Sequence, residues 1–560
     1  MVPQTKISSA DVSEKLVVNS SGEVPAIVPR ESTGKQRLAV TLVLLLILAA
    51  ATIVRALNLG YPTLFMDEYD HVYAAQSILK TGEPELPSGY HYTRALPYTL
   101  LVAASFKLFG VSEASARLPS VIFGVLMVLG AFLLGAYFHN AYTGLLAAFL
   151  TAFLPLTVGW SRECRMYSTF AFLYALLVLC FYKGFEPEGK ADAPKHSLKS
   201  IDFRWLIGAG VLLALAYSVQ MLAGLFFFGM AAYCVLMFVF LWAKQGFKTA
   251  VASKYSAVLL LGLASFAVFA STPMLEKFWK LSQECPPYAR WKARMYSFYL
   301  PVLFDSKFHW LALLGAGILF AVGRKGIYLL AVFITPLLFH SFVLAWKSER
   351  YILYLYTLFL VFISAGVVWA FNWLAPRIKL LASRLGGTTK QQSAAVWLVG
   401  CLLAVAFLAN YRTLHYGVTA FRQYHGITVP HNDWRGVARY LKSRAAESDA
   451  IAASVPLAVL YYLGRKPEYS IRRHEALTTM INSGKKPSGV HDRYTGSLIL
   501  EDEKMLLDAM AKHSRGWIVV DKPRWNKWFL TPGQMKLIKT KMRYHPNASD
   551  GTVLVYSWGQ

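Results

Sequence analysis

The stretch Phe65-Met66-Asp67-Glu68-Tyr69-Asp70-His71 follows shortly after the first long apolar run of the chain. It places two adjacent carboxylates at the start of a helical pattern, close to the point where the chain would leave a membrane. Asp is a preferred N-cap residue, because its side chain accepts a hydrogen bond from an unpaired N–H of the first turn. A carboxylate within reach of a hydroxyl can also act as a general base. Asp67 is therefore a candidate for either role.

Composition indicates a membrane protein. Of the 560 residues, 56% are hydrophobic, 14% are aromatic and 16% are charged, which is too apolar for a soluble globular protein of this length. The net charge of +26 is spread between apolar runs rather than gathered on one face. We therefore expect contact with anionic membrane lipids or a phosphorylated lipid, and none with nucleic acid. Among the five cysteines, Cys164 and Cys285 fall in loops on one side, where a single disulfide is an open alternative.

Eleven apolar runs are long enough, or nearly so, to cross a bilayer about 30 Å thick. Lys and Arg in most of the short loops are concentrated on one side, which the positive-inside rule assigns to the cytoplasm. The N-terminus then lies in the cytoplasm, and the chain after the eleventh run lies outside. The runs lie near residues 38–57, 119–138, 141–160, 167–185, 205–222, 224–243, 255–272, 308–323, 327–346, 351–375 and 394–412.

These runs divide the chain into three parts. Residues 1–37 are polar and are predicted to be a disordered cytoplasmic tail, and residues 38–412 are predicted to be the transmembrane domain. Residues 413–560 are predicted to form an extracytoplasmic α/β domain, with helices over 434–444 and 501–512 and strands over 450–455, 517–521 and 552–558. The expected fold class is a polytopic α-helical membrane protein with a C-terminal extracytoplasmic α/β domain.

Two outer loops are unusual. The first, residues 60–117, contains a helical pattern from Asp67 and a second apolar segment over 96–109, which is too short to span and suits a helix lying in the interface. The second, residues 273–307, is rich in Lys and Arg although it lies outside. It could rest on lipid headgroups or form a lid that meets a phosphate, and the sequence leaves both readings open.

Several stretches resemble the GT-C glycosyltransferases. The signatures are Met66-Asp67-Glu68-Tyr69, Gly89-Tyr90-His91-Tyr92-Thr93-Arg94-Ala95-Leu96-Pro97, Lys107-Leu108-Phe109-Gly110-Val111-Ser112-Glu113, Ala116-Arg117-Leu118-Pro119, Ser161-Arg162-Glu163-Cys164-Arg165-Met166-Tyr167 and Glu349-Arg350-Tyr351. The pattern is most similar to the bacterial lipid A aminoarabinose transferases and the protein O-mannosyltransferases. The resemblance implies a polyprenyl-phosphate sugar as donor, transfer on the extracytoplasmic face of the cell membrane and inversion at the anomeric carbon.

The resemblance also implies roles for single residues. Asp67 matches the catalytic carboxylate of the family, and the adjoining Glu68 is expected to assist it or to orient the acceptor. Transfer from a lipid phosphate also needs cations that stabilise the departing phosphate. Those candidates are Arg94, Arg350, Arg162 and Arg165, of which Arg94 stands where the aminoarabinose transferases usually carry a lysine. Glu163 and Tyr167 are candidates for a second acid or an acceptor contact.

Other functions were weighed against this one. Asp67, Glu68, Asp70 and His71 could together hold a divalent cation, but the nearer relatives use Arg and Lys, so we expect no catalytic metal and no cofactor. A lipid-linked sugar flippase or transporter would place ionisable groups inside its spans and show repeated halves. A sugar-lipid ligase would not be expected to carry an acidic pair after its first span. The acceptor, whether lipid, glycan or protein hydroxyl, is left open.

Overall fold

The computed structural model of the chain describes residues 34–188, 194–285, 290–303, 309–386, 388–395, 398, 432–473 and 489–559. Residues 1–33 of the predicted tail and all but three residues of the predicted run 394–412 lie outside this description. The first helix begins at Gly34, so the last four residues of the predicted tail are helical and not disordered.

Seventeen helices lie between Gly34 and Arg384 in the part that the structure describes. They are α1 Gly34–Ala56, α2 Glu68–Thr81, α3 Leu96–Phe109, α4 Glu113–Phe138, α5 Ala141–Phe153, α6 Pro155–Trp160, α7 Tyr167–Phe185, α8 Phe203–Val219, α9 Leu225–Gln245, α10 Phe247–Val251, α11 Lys254–Ala270, α12 Met274–Gln283, α13 Arg290–Ala293, α14 Tyr299–Leu303, α15 His309–Ala321, α16 Arg324–Phe342 and α17 Leu353–Arg384. Short 3₁₀ helices cover Leu198–Ser200, Met221–Gly224 and Glu349–Ile352.

Ten of the eleven predicted runs coincide with helices, but the count of eleven spans is not confirmed. Within the described residues, six helical segments are long and apolar enough to cross a membrane, and α11 with α12 makes a seventh if this pair, bent by 85°, is one span. The predicted run 141–160 is broken into α5 and α6 at Pro155, which cannot donate a helical hydrogen bond. On α11, Leu260, Leu261 and Leu263 are 65%, 69% and 66% exposed, as expected for a helix facing lipid.

A sheet-containing unit follows the helices. Its strands are β1 Ala450–Ala453, β2 Tyr469–Ile471, β3 Leu498–Leu500, β4 Gly516–Asp521, β5 Arg543–Tyr544 and β6 Val553–Trp558. Its helices are α18 Trp434–Lys442, α19 Pro456–Leu463, α20 Glu503–Lys512 and α21 Pro532–Lys541, with 3₁₀ turns at Lys522–Arg524 and Pro546–Ala548. All five elements predicted here are confirmed, each boundary within two residues.

The six strands form one sheet in the order β3-β2-β1-β4-β6-β5. The pairs β3–β2, β2–β1 and β1–β4 are parallel. Strand β6 runs antiparallel to both β4 and β5. Every residue of β4 is buried, which is why Gly516–Asp521 is an almost continuous apolar run. The C-terminal unit is therefore an α/β domain with a mixed sheet.

The C-terminal domain packs directly on the first outer loop. Thr63 donates its hydroxyl to the Asn432 carbonyl at 2.6 Å, and the Leu64 N–H donates to the Tyr462 hydroxyl at 2.8 Å. Arg435 forms an ion pair with Glu113 at the start of α4. The sheet and the Asp67 stretch therefore lie at the same end of the helical bundle.

The basic outer loop is partly helical and packs close to Arg350. The Ala345 N–H donates to the Ser282 carbonyl at the end of α12, and the Ser348 N–H donates to the Tyr299 hydroxyl at 3.3 Å. Residues 286–289 and 304–308 of this loop lie outside the described part. The structure shows no disulfide between Cys164 and Cys285, so the alternative left open by the sequence is not adopted.

A buried ion pair fixes α2 to α4. Arg117 donates through Nε and Nη2 to the two carboxylate oxygens of Glu68, at 2.8 Å each, and both side chains are 1% exposed. Its remaining donors bind the carbonyls of Leu59, Pro62 and Thr63. One guanidinium thus holds the end of the first span, the start of α2 and the start of α4 together.

We expect Glu68→Gln to destabilise the protein. The substitution removes a charge from a buried pair and leaves Arg117 without its counter-ion, a change that typically costs about 3–5 kcal/mol. Thermal unfolding of the purified protein in detergent, followed by tryptophan fluorescence, measures the effect. The control is Glu447→Gln, an exposed glutamate of the C-terminal domain. A Glu68→Gln protein that unfolds at the wild-type temperature would contradict the structural role of the pair.

Candidate active site

Asp67 stands at the N-cap position of α2, but its side chain makes no capping hydrogen bond with any described residue. Instead Oδ2 accepts a hydrogen bond from Arg350 Nη1 at 2.8 Å and lies 3.6 Å from Arg165 Nη2. Arg165 Nη1 also donates to the Asp67 carbonyl at 2.7 Å. The helix-cap reading of Asp67 is therefore wrong, and the carboxylate belongs to a cluster of arginines.

The arginines keep Asp67 ionised. Burial favours the neutral carboxyl, but the charges of Arg165, Arg350 and Arg94 outweigh it and hold the pKa of Asp67 well below its usual value. The side chain remains 32% exposed. Asp67 is thus a carboxylate that solvent or a ligand can reach and that carries its charge at any physiological pH.

Arg350 sits in a cage of aromatic rings. Its guanidinium carbon lies 5.9, 5.7, 6.0 and 5.3 Å from the ring centres of Trp160, Tyr167, Trp346 and Tyr351. Rings at this distance attract a cation and restrict its rotamers. Its Nε has no hydrogen-bond partner among the described residues. Arg350 is therefore held in place beside Asp67, with one buried donor that no described residue satisfies.

The turn that carries Arg165 packs tightly against α4. A Cβ at Gly124 would lie 2.4 Å from the Ser161 Cβ, so only glycine permits this approach. Arg165 is 3% exposed, and like Arg350 it has an Nε with no partner among the described residues. The close approach brings Arg165 to Asp67.

Arg162, also predicted to bind the phosphate, takes partners at the end of α1. Its Nη1 donates to the carbonyls of Val54, Arg55 and Leu57 at 3.2, 2.7 and 2.8 Å. These carbonyls lie at the end of α1, where a cation satisfies unpaired groups and complements the helix dipole. The side chains of Arg162 and Arg165 therefore point to different partners although both flank Glu163.

Glu68 is also turned away from Asp67. Besides Arg117, its oxygens accept hydrogen bonds from the N–H groups of Phe65 and Cys164, each at 2.7 Å. Neighbouring side chains on a helix diverge, so Glu68 does not point to the same place as Asp67. Its hydrogen bonds indicate a structural role and not the predicted role beside the acceptor. Glu163 is 7% exposed, and burial and the Glu68 charge raise its pKa well above the usual value. Glu163 therefore favours its protonated form next to Glu68.

Arg94 and Tyr167 complete the surroundings of Asp67. Arg94 is exposed and makes no hydrogen bond or ion pair with any residue that the structure describes, yet its charge acts on Asp67. Tyr167 is 1% exposed, and its hydroxyl has no hydrogen-bond partner within the described residues. The structure thus brings together Asp67, Arg94, Arg165, Arg350 and Tyr167 from the predicted set.

The four residues weighed as metal ligands do not converge. Glu68 is bound to Arg117, and the His71 Nδ1 pairs with the Thr99 hydroxyl at 2.9 Å. Across the described residues, no group of three or more His, Cys, Asp and Glu side chains is close enough to hold a metal ion. The absence of a catalytic metal remains a prediction.

Sequence reasoning missed the roles of Arg117 and Arg493, and it considered Asp70 only as a metal ligand. Arg117 stood within a quoted signature, but only its burial beside Glu68 shows its role. Asp70 is 8% exposed, and burial together with the Asp67 charge raises its pKa to about 7. The charge of Asp70 also acts on Arg493 of the C-terminal domain and raises its pKa. The helical spacing of Asp70 from Asp67 can be read from the sequence, but its burial cannot, and no local pattern indicates the contact of Arg493 with Ser88, 405 residues away.

The chemistry of this arrangement suits the transfer of a group from a phosphate. The guanidinium groups of Arg165 and Arg350, from separate parts of the chain, contact one accessible carboxylate, and the charge of Arg94 also acts on it. Guanidinium groups bind phosphate through paired hydrogen bonds, and they stabilise negative charge as it develops on a leaving group. A carboxylate beside them can accept a proton from a hydroxyl.

One family model matches part of the chain. Residues 94–270 match the family described as dolichyl-phosphate-mannose-protein mannosyltransferase. Among curated protein sequences, none matches the chain significantly.

Solved structures share the fold over almost the whole chain. Apo ArnT from Cupriavidus metallidurans is 14% identical with a TM-score of 0.55, and the match covers 93% of this chain and 98% of that one. The same protein bound to undecaprenyl phosphate is 14% identical, with a TM-score of 0.53 and coverage of 92% and 97%. The oligosaccharyltransferase AglB from Archaeoglobus fulgidus, in complex with an inhibitory peptide and a dolichol-phosphate, is 15% identical with a TM-score of 0.59 and coverage of 92% and 74%. This chain is thus a polytopic membrane protein with the GT-C glycosyltransferase fold.

Proposed function

We propose that this protein is a glycosyltransferase that moves a sugar from a polyprenyl-phosphate donor to a hydroxyl on the extracytoplasmic face of the cell membrane. The observation that carries the proposal is the cluster of Arg350, Arg165 and Arg94 around the accessible carboxylate of Asp67. The undecaprenyl phosphate bound to ArnT and the dolichol-phosphate bound to AglB support a polyprenyl phosphate as the donor's lipid part.

In this proposal the arginines bind the donor phosphate. Arg350 and Arg165 both contact Asp67, and each has a buried Nε that no described residue satisfies, so a phosphate oxygen bound beside Asp67 would supply the missing partner. Arg94 is exposed at the rim and can close over the phosphate. Contacts that strengthen as the phosphate gains charge lower the barrier to its departure.

Asp67 is proposed to be the general base. The acceptor hydroxyl attacks the anomeric carbon, its proton passes to an Asp67 oxygen, and the bond from the anomeric carbon to phosphate breaks with its electron pair on the phosphate oxygen. Attack from the face opposite the phosphate inverts the anomeric carbon. The negative phosphate also shares the arginines that lower the pKa of Asp67, so donor binding should make Asp67 a stronger base.

We expect Asp67→Asn to abolish transfer while the fold survives. Asn keeps the size of the side chain and one oxygen for Arg350, but it cannot take a proton at neutral pH. General-base catalysis typically contributes about 10²–10⁴-fold, so the transfer rate should fall by at least about 10²-fold. The assay uses purified protein, a polyprenyl-phosphate sugar and excess acceptor, with the exposed Asp508→Asn as matched control. If Asp67→Asn transfers sugar at the wild-type rate, Asp67 is not the general base.

We expect Arg350→Gln to weaken donor binding, because it removes a charge-assisted contact to phosphate. Such a contact is worth about 1.5–3 kcal/mol, which corresponds to a loss of affinity of at least tenfold. Equilibrium binding of undecaprenyl phosphate to the purified variant measures this loss. Arg162→Gln is the matched control, since that arginine binds the end of α1. If Arg350→Gln binds undecaprenyl phosphate as tightly as the wild type does, Arg350 does not bind the phosphate.

The orientation is proposed from the Lys and Arg distribution and can be tested in cells. A reporter enzyme that is active only outside the cytoplasm should be active when fused after residue 412 and inactive when fused after residue 195. Fusions to the same reporter are compared at equal expression. The reverse pattern would place Asp67 on the cytoplasmic side and exclude the proposed topology.

A further inference from the structure

The end of the helical bundle opposite Asp67 carries lysines and aromatic rings that the proposed reaction does not use. Helices α4 and α7 begin beside the Asp67 cluster, with Arg117 near the start of α4 and Tyr167 as the first residue of α7. At a rise of about 1.5 Å per residue, Tyr137 lies about 30 Å along α4 from Arg117. Lys183 lies about 24 Å along α7 from Tyr167. These lengths are close to the thickness of a bilayer core, so Tyr137 and Lys183 lie near the opposite membrane surface.

Lys183, in the last turn of α7, contacts two aromatic rings. Its Nζ lies 5.0 Å from the centre of the Tyr137 ring and 4.7 Å from the centre of the Trp205 ring. Ring faces at this distance attract a cation but do not neutralise its charge. The side chain is half-buried, and it makes no hydrogen bond or ion pair with any residue that the structure describes. A partly buried charge without a counter-ion is costly, so an anion that bound here would lower the free energy of the folded protein.

The position of Trp205 beside Lys183 is fixed by close packing of α8 on α7. A Cβ at Gly184 would lie 2.8 Å from the Leu206 backbone nitrogen, so only glycine permits this approach. The Asp202 N–H donates to the Gly184 carbonyl at 2.8 Å and joins the two helix ends. The rings that hold Lys183 are therefore part of the fold, and the ammonium group is already in place before any ligand binds.

Lys325, at the start of α16, brings a second cation to the same ring. Its Nζ lies 4.5 Å from the centre of the Tyr137 ring and donates to the Tyr137 carbonyl at 3.2 Å. The ammonium groups of Lys183 and Lys325 both lie within 5.0 Å of one ring centre, so they repel each other at close range. Glu188 forms an ion pair with Lys325 at 2.6 Å, but its side chain is 61% exposed, and such exposed pairs contribute little.

We propose that Lys183, Lys325, Tyr137 and Trp205 form a binding site for the phosphate headgroup of an anionic phospholipid in the leaflet opposite Asp67. A phosphate placed between the two ammonium groups would compensate both charges and remove their repulsion, and Lys binds phosphate as a point charge. The site lies about a bilayer thickness from Asp67 and takes no part in the transfer of sugar.

The surroundings of the site favour a lipid over a soluble anion. Trp205 is 42% exposed, and tryptophan is enriched where a span meets the headgroups. On the same helix, Phe203 and Ile207 are 66% and 68% exposed, as expected for side chains that face acyl chains. An anionic headgroup is attracted to lysines at the membrane surface, while its acyl chains cover the apolar side chains beside them.

The test measures lipid binding to the purified full-length protein by native mass spectrometry. The probe is phosphatidylglycerol, and phosphatidylcholine with the same acyl chains is the comparison. The wild type should bind the first phosphatidylglycerol more tightly than the first phosphatidylcholine. Lys183→Gln and Lys325→Gln should each lower the affinity for phosphatidylglycerol about fivefold, which is the contribution of one lysine beside anionic lipid.

Three further variants separate this site from a general basic surface. Lys183→Arg keeps the charge and should bind phosphatidylglycerol as the wild type does. The matched controls are Lys244→Gln and Lys248→Gln, which change exposed lysines at the end of α9 and in α10, and they should also bind as the wild type does. Thermal unfolding in phosphatidylcholine nanodiscs shows whether each variant is folded. If Lys183→Gln does not fold, Lys325→Gln and Lys183→Arg decide the outcome.

The proposal is supported if the preference for phosphatidylglycerol is lost in the two glutamine variants of the site and kept in Lys183→Arg and in the controls. It is overturned if the wild type does not distinguish the two lipids, or if both glutamine variants bind phosphatidylglycerol as the wild type does. It is also overturned if the controls lose as much affinity as the variants of the site, which would indicate a diffuse basic surface. Binding of inorganic phosphate that depends on Lys183, without binding of phosphatidylglycerol, would indicate a site for a soluble anion and overturn it as well.

Discussion

The Glu68–Arg117 pair is the interaction on which the geometry of the site depends. All five donor hydrogens of the Arg117 guanidinium are used, two by Glu68 and three by carbonyls of the segment that leaves the first span. Glu68 in turn accepts from the N–H groups of Phe65 and Cys164. Buried charges are tolerated when every polar atom has a partner, and this pair meets that condition. Because side chains of neighbouring residues diverge, Glu68 points to Arg117 while Asp67 points to a different side, where it meets Arg165 and Arg350.

The arginines near α2 fall into two groups by how their donors are used. Arg117 and Arg162 bind several backbone carbonyls, so they fix the positions of α1, α2 and α4. Arg350 and Arg165 are equally well held, but each retains a donor without a partner among the described residues. An arginine whose side chain is held by its surroundings, and which has an N–H without a partner, is suited to bind a ligand. Little conformational entropy is lost when it binds.

Part of this site could be predicted from sequence. Asp67, Arg165 and Arg350 were identified because their signatures resemble a family, and the structure brings these three together. Glu68 and Arg162 were given similar roles because spacing along the chain does not show which way a side chain points in a turn or at a helix start. Arg493 could not be identified, since nothing in a local pattern connects the turn 492–497 to the first outer loop. The count of eleven spans is not confirmed because α5, α8 and α15 fall among the shorter apolar helices and the eleventh run lies almost wholly outside the described residues.

The contact between Thr63 and Asn432 joins residues 369 positions apart in the chain. Translation proceeds at about 5–20 residues per second, so the first outer loop must wait roughly 20–70 s for this partner to be synthesised. During that interval Glu113 lacks Arg435, and Leu64 lacks the Tyr462 hydroxyl. The helices that carry Asp67 are inserted first, but the loop above them gains its final contacts only when the last quarter of the chain has folded. A nascent chain that stops before this domain therefore leaves the polar surface of the loop without its protein partners.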